Sequence, residues 1–334
     1  MTNRIFYENN KYSQIDYPLN YRKELPFYKN NQYNIVKVLN PKFFFQRPNQ
    51  AVIFIDTYML KLLFEEKDGT LELLKKCIEN NKLMMVMNDY IENEIKTRGM
   101  YNNLLELCQN SLFILPRGYI SANQIIHSLL CFVLNKKEIN LNWDIISSKV
   151  PVIQNIKENL LQNFVYIKNE LNFLKRKCKW SNKEWIVTIV SLERNYWRST
   201  LKIYGDLLKS FRIPNYNNNL YEQFFYTDYF VDLPCIIFNS YFLGYILHER
   251  YVKIQDLVDV FTISELLPYC DLYVMDKDQH NRFIRLQKDY KGIFTYFYTR
   301  SRVISKWKKY GLDPNSELKD FIKDLMLTNS NLEH

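Results

Sequence analysis

DLVDVFTISELLPYCDLYVMDKD, residues 256–278, and AVIFIDTYML, residues 51–60, are the two stretches whose reading decides the fold. AVIFID has the near-continuous apolar character of a strand buried on both faces of a parallel sheet, and Asp56 ends it. In the other stretch, Asp256 and Asp259 share one face of a helix, and CDLYVM is a second short apolar strand ended by Asp276. In open parallel sheets, sites form beyond the carboxyl ends of strands where the strand order reverses. Asp56 and Asp276 both occupy such a position, so these two strands are predicted to be neighbours although they lie far apart in the chain.

Working outward, helices are predicted around 57–66 and 70–80, separated by Asp68-Gly69. KLMMVMN (82–88) is predicted as a second buried strand and SLFILP (111–116) as a third. Between those strands DYIENEIKTRG reads as a helix capped by Asn88 or Asp89 and stopped by Gly99. Alternating strands and helices predict an α/β fold with a parallel sheet flanked by helices. The pattern then changes. From Ser121 to Lys136, Ile153 to Lys177 and Ser181 to Phe211 the apolar positions recur at helical spacing, which predicts a large all-helical insertion. Two of its helices are expected to run roughly 25–30 residues, forming a hairpin ~40 Å long. RKCK at 176–179 belongs either to a solvated amphipathic face or to a nucleic-acid or partner arm. VDLPCIIFNSYFLGYILHER then reads as a buried helix leading into 256–278.

The expected organisation is an N-terminal arm (1–50, with strand character only in QYNIVKVL), a first sheet segment (51–120) and the helical insertion (121–215). A second sheet segment with a basic stretch (216–310) and a C-terminal helix (311–331) follow, and the closing LEH (332–334) resembles a purification-tag remnant.

The chain has 334 residues, 47% hydrophobic and 24% charged, which excludes a wholly disordered protein. A net charge of +9 favours a polyanionic partner. Most of the excess is local: residues 282–309 carry nine Lys or Arg against one acid, Asp289. Arg282, Arg285, Lys288, Lys291, Arg300, Arg302 and Lys306 are therefore candidate nucleic-acid contacts, interleaved with Tyr290, Phe294, Tyr296, Phe297, Tyr298 and Trp307 for stacking on unpaired bases. IFTYFY within this stretch also reads as a buried fifth strand. The six cysteines have neither zinc-ribbon nor redox spacing and sit mostly in apolar runs, which predicts reduced thiols and a cytoplasmic location. There is no secretory signal at the start, and the longest apolar run, Cys235 to Leu247, is too short to cross a ~30 Å hydrocarbon layer, so no membrane is expected. GxGxxG, P-loop, GxSxG and HExxH motifs are absent, which removes dinucleotide, NTP, hydrolase-elbow and zincin chemistry.

Four acids are expected in one cleft: Asp56 after the first strand, Glu94 in IENEI, Asp259 on the helix before CDLYVM, and Asp276 after it. Converging carboxylates repel one another unless a cation sits between them. A hard divalent ion, Mg²⁺ or Mn²⁺, prefers oxygen ligands and activates water against a phosphodiester. Each acid also has a plain structural explanation. Asp56 caps a helix in that reading, and Glu94 is a surface charge beside Glu92. Asp256 competes with Asp259 for the metal site, and Asp271 and Asp278 are lesser alternatives to Asp276.

IFIDTYML, NDYIENEI and QDLVDVFTISELLPYCDLYVMD, in that order, resemble the PIN-like nucleases over roughly 51–116 and 228–297. The last segment is the most specific match and resembles a bacterial subgroup with an Asp-rich helix leading into a Pro-Tyr-Cys-Asp strand entry. Many members have Thr or Ser just before the last acid, where this chain has Val274 and Met275. The resemblance implies a metal-dependent phosphodiesterase that takes RNA ahead of DNA, with Asp56, Glu94, Asp259 and Asp276 holding the ions. The Asn, Lys, Ile and Tyr bias suggests a low-GC bacterial genome, where such proteins are often toxins or phage-defence effectors. The insertion is then the natural place for a regulatory protein partner. The rival expectation is a PIN-like module that binds nucleic acid or protein without cleaving.

Overall fold

The structure is a computed structural model that describes residues 50–65, 69–108, 111–115, 119–133, 157–202, 216–290, 302–305 and 314–328, together with 3–4, 14–15, 205–206 and 209. In chain order the elements are β1 (Ala51–Ile55), α1 (Thr57–Glu65), α2 (Thr70–Glu79), β2 (Leu83–Asn88), α3 (Asp89–Thr97), α4 (Tyr101–Cys108) and β3 (Leu112–Leu115). Then come α5 (Tyr119–Val133), α6 (Lys157–Lys177), α7 (Asn182–Thr200), α8 (Asn218–Phe224), α9 (Asp228–Val231), α10 (Pro234–Glu249) and α11 (Ile254–Leu266). A 3₁₀ turn (Leu267–Tyr269) leads into β4 (Leu272–Met275), followed by α12 (Lys277–Asp289), β5 (Arg302–Ser305) and α13 (Pro314–Thr328). The chain divides into two compact units, a sheet unit chiefly of Arg47–Arg117 and Leu266–His334 and a helical unit chiefly of Gly118–Ser148 and Ile153–Glu265.

The sheet unit is α/β. Its five strands are parallel and run in the order β3-β2-β1-β4-β5. Every residue of β1, β2 and β4 is buried, as expected of strands covered on both faces. The strands expected in AVIFID, KLMMVMN, SLFILP and CDLYVM all form, and β1 pairs with β4 with Ile53 opposite Leu272 and Ile55 opposite Val274. Phe54 stacks on Tyr273 across that pair at 4.5 Å between ring centroids. At the other end of the same pair, the buried Asp271 accepts from the Val52 amide at 2.9 Å, and its own amide donates to the Val52 carbonyl at 2.7 Å. Helix α13 joins this unit against α2, where Lys82 Nζ donates to the Met326 carbonyl at 3.2 Å. The fifth strand is Arg302–Ser305; IFTYFY lies outside the described residues.

Apolar side chains surround α10 on all sides, and nearly all of it is buried. Helix α7 comes close enough that a Cβ on Gly244 would stand 2.8 Å from Ile186 Cγ1, so any larger residue there would force the Ile186 side chain to shift. Glu193 of α7 is held under this crossing, accepting from Trp197 Nε1 at 2.9 Å and from Asn239 Nδ2 at 3.1 Å. Helix α6 adds a Phe164–Phe261 stack and a reciprocal pair of hydrogen bonds between the Asn172 amide and the Val252 backbone. Among the described residues helices α6 and α7 have 21 and 19 residues, and α7 ends at Thr200, where Leu201 N closes on the Trp197 carbonyl.

The helical unit extends to Glu265 rather than ending at 215, because α10 packs on α7. Asp256 and Asp259 therefore belong to the helical unit. Of the N-terminal arm, the described part is a two-residue antiparallel ladder, Asn3–Arg4 with Gln14–Ile15, and QYNIVKVL lies outside it. Among the described residues no helix is long and apolar enough to cross a membrane.

Candidate functional site

The C-terminal edge of the sheet is built from strand ends that pass directly into helices. The Asp56 carbonyl accepts the first bond of α1 from Leu60 N at 3.0 Å, and its amide donates to the Val274 carbonyl of β4 at 3.1 Å. On one side, Asn88 ends β2 and caps α3, its side chain accepting from Ile91 N at 3.2 Å. On the other, Asp276 follows β4 and caps α12, its Oδ1 accepting from Gln279 N at 2.9 Å. Adjacent parallel strands stand about 4.8 Å apart, so Asp56 and Asp276 end neighbouring strands at the point where the order reverses. Three helix N-termini, each a source of positive partial charge, meet at this edge.

Glu94, half-buried on α3, is drawn to the same edge. The buried Thr57, next to Asp56, donates its hydroxyl to Glu94 Oε2 at 3.2 Å. Arg98 donates to the other oxygen, Oε1, at 2.7 Å. Glu92, the surface-charge neighbour in the sequence reading, is instead buried and accepts from Lys96 Nζ and from Tyr101 Oη at 3.0 Å.

The sheet unit thus carries Asp56, Glu94 and Asp276 at one edge. Asp256 and Asp259 are in the helical unit. Asp256 is buried and makes a two-pronged ion pair with Arg250 (2.6 and 2.5 Å) while accepting from Lys253 N, so it ties the turn before α11 together. Asp259, one turn later, accepts from Gln255 Nε2 at 2.9 Å. Asp271 sits at the opposite, N-terminal end of β4 from Asp276, and Asp278 is exposed in the first turn of α12. Among the described residues, no group of three or more His, Cys, Asp or Glu forms a ready-made metal site.

The basic stretch divides. Arg282, one of the candidate nucleic-acid contacts, is only 8% exposed, because the spacing 279, 282, 283, 286 places it on the buried face of α12. Arg285 lies 3.8 Å from Asp289, Lys288 is exposed, and Arg302 opens β5 opposite Leu272. Lys291, Arg300 and Lys306 lie outside the described residues.

All six cysteines are free, and all but Cys178 are buried. Burial pushes the Cys108 thiol up to about 12 and raises Cys235 and Cys270 as well, so none of these three is a thiolate nucleophile at neutral pH.

Two partners in these sites were legible but unread. Arg98 stands four residues after Glu94, an i,i+4 pairing position, and Arg250 stands six before Asp256 across the turn into α11. No known protein family, no curated protein and no solved structure matches the chain.

Proposed function

We propose that the chain is a metal-dependent phosphodiesterase of the PIN-like type, acting on RNA ahead of DNA at the C-terminal edge of its sheet. One observation carries the reading: Asp56 and Asp276 end adjacent parallel strands at the reversal of strand order, and Thr57 ties Glu94 to the residue beside Asp56. The three candidate ligands offer only oxygen, which suits Mg²⁺ or Mn²⁺ and not softer ions. Each carboxylate has about four lone-pair sites, so capping by Asp276 and the Thr57 bond to Glu94 are compatible with holding an ion. A divalent cation, when bound, lowers the pKa of water and offsets negative charge on the phosphate. The rest falls to the protein: Thr57 orients Glu94, the α12 cap orients Asp276, and the helix N-termini favour the phosphate. Asp259 stands in the helical unit, and the proposal rests on the three acids of the sheet unit.

The proposal extends to a toxin or phage-defence effector in a bacterial cytoplasm, for which growth arrest on induction must require Asp56. The test of the chemistry itself is incubation with labelled RNA and single-stranded DNA plus Mn²⁺, beside Asp56→Asn. Cleavage that is abolished in the variant supports the reading; cleavage that is absent, or equal in the variant, removes it. A second reading, a module that binds without cleaving, is favoured by the Arg98 bond to Glu94, which neutralises a candidate ligand.

A further inference from the structure

The connection between α6 and α7 carries a charge pattern that helix formation does not explain. Residues 171–183 contain Lys175, Arg176, Lys177, Lys179 and Lys183 and no acid. Lys175 has a structural task, donating to the Leu247 and His248 carbonyls that end α10. Arg176 and Lys177 complete the last turn of α6, where the helix dipole favours cations. That account fails for the other two. Lys179 lies in the turn, and Lys183 lies in the first turn of α7, two residues after the N-cap Ser181, where the same dipole disfavours a cation. Arg176, Lys177, Lys179 and Lys183 are all exposed, and none forms an ion pair with an acid among the described residues.

Two rings stand among these charges. Phe173 is 48% exposed with Lys177 Nζ 5.8 Å from its centroid, and Tyr251 is 52% exposed with Lys175 Nζ 5.9 Å away. The nearest acids in sequence border the patch: Glu170 precedes it, and Glu184 is turned back onto the Ser181 amide and hydroxyl. Cations spaced along an exposed turn match successive phosphates, and exposed rings beside them match unpaired bases. An acidic peptide would use the charges and leave the rings idle. An anionic bilayer would call for an apolar wedge at the turn, whereas Cys178 and Trp180 there are half-buried, Trp180 edge-on to Trp185.

We propose that the α6–α7 turn is a docking surface for single-stranded nucleic acid, gripping phosphates through Arg176, Lys177, Lys179 and Lys183 and stacking bases on Phe173 and Tyr251. This surface belongs to the helical unit and does not depend on cleavage. The test is fluorescence anisotropy of the full chain with a labelled 20-nucleotide oligouridylate in EDTA, so that a failure leaves the metal-dependent reading untouched. The variant Lys177→Ala/Lys179→Ala/Lys183→Ala is expected to bind at least tenfold more weakly at low salt. Its log–log salt slope should flatten by about 2, at roughly 0.7 for each phosphate no longer gripped. A second variant, Phe173→Ala/Tyr251→Ala, should weaken binding severalfold while leaving that slope unchanged. Unchanged affinity in the triple variant, with a thermal transition like that of the parent, overturns the proposal. So does tighter binding to phosphatidylserine vesicles or polyglutamate than to the oligonucleotide, because either would assign the surface to another class of partner.

Discussion

The carboxylate of Asp271 completes the parallel ladder at Val52, accepting its amide at 2.9 Å while the two backbones pair in the opposite sense at 2.7 Å. This clasp holds β4 to β1 at the end of the sheet away from Asp56 and Asp276. Asp271→Ala leaves the buried Val52 amide without its acceptor and is expected to destabilise the fold by about 1–3 kcal/mol. Urea unfolding measures this, and an unchanged midpoint would show that the clasp contributes nothing.

Asp276 caps α12 and, on the proposed reading, would also hold an ion; two substitutions divide these roles. Asn caps a helix about as well as Asp, so Asp276→Asn is expected to keep the thermal transition within about 0.5 kcal/mol while losing the negative charge. Ala loses both and is expected to cost about 1 kcal/mol of stability as well. Mn²⁺-dependent stabilisation, read as the shift in melting temperature with added ion, should disappear in both variants. Retention of that shift in Asp276→Asn would exclude this residue as a ligand.

Arg98 is bonded to Glu94 and, on the proposed metal-dependent reading, would compete with a cation for it. Arg98→Ala should leave stability within about 1 kcal/mol, since the ion pair lies near the surface. Mn²⁺ affinity, followed by titration calorimetry, is expected to rise severalfold. A fall would mean that Arg98 positions Glu94 instead of competing for it.

Burial under the α7–α10 crossing pushes the Glu193 carboxyl from its ordinary 4.5 up to about 7, against the opposing pull of its bonds from Trp197 and Asn239. The folded state thus holds this proton more tightly than the unfolded chain. Stability from this group is complete below pH 4.5 and is lost as pH rises through 7, by at most about 3 kcal/mol. Glu193→Gln should remove that slope. Melting temperatures at pH 5 and pH 8 would then converge in the variant, and parallel curves for parent and variant would refute the assignment.

Asp256 behaves as a structural acid. Asp256→Ala strands Arg250 and the Lys253 amide, and the expected loss is about 2–3 kcal/mol. That is below the ~3–5 typical of fully buried pairs, because the Arg250 side chain is 39% exposed and rehydrates. The loss should be the same with and without Mn²⁺.

Strand identity was legible because AVIFI, LMMVMN and LYVM are apolar at nearly every position, a pattern that suits a doubly covered parallel strand. The pairing of β1 with β4 followed from their terminal acids. The roles of individual acids were less legible, since a carboxylate in a sequence does not announce its partner. Asp256 and Asp259 share a helix face, yet the first is committed to Arg250 across a turn whose geometry no periodicity encodes. Arg282 looked like one cation among nine, and only its register on α12 buries it. The limits of the helical unit were misplaced because α10, apolar on every side, carries no facial signal to say which neighbour it packs against.

The clasp between Asp271 and Val52 spans 219 residues, which has a consequence for how the chain is made. At a translation rate of ~10 residues per second, β1 waits about 20 s after leaving the ribosome before its partner β4 exists. During that interval one edge of a wholly apolar strand has no native partner and is open to pairing with another nascent chain. Expression at lower temperature, or with a chaperone that shields strand edges, should therefore raise the soluble yield more than any change to the finished protein's surface.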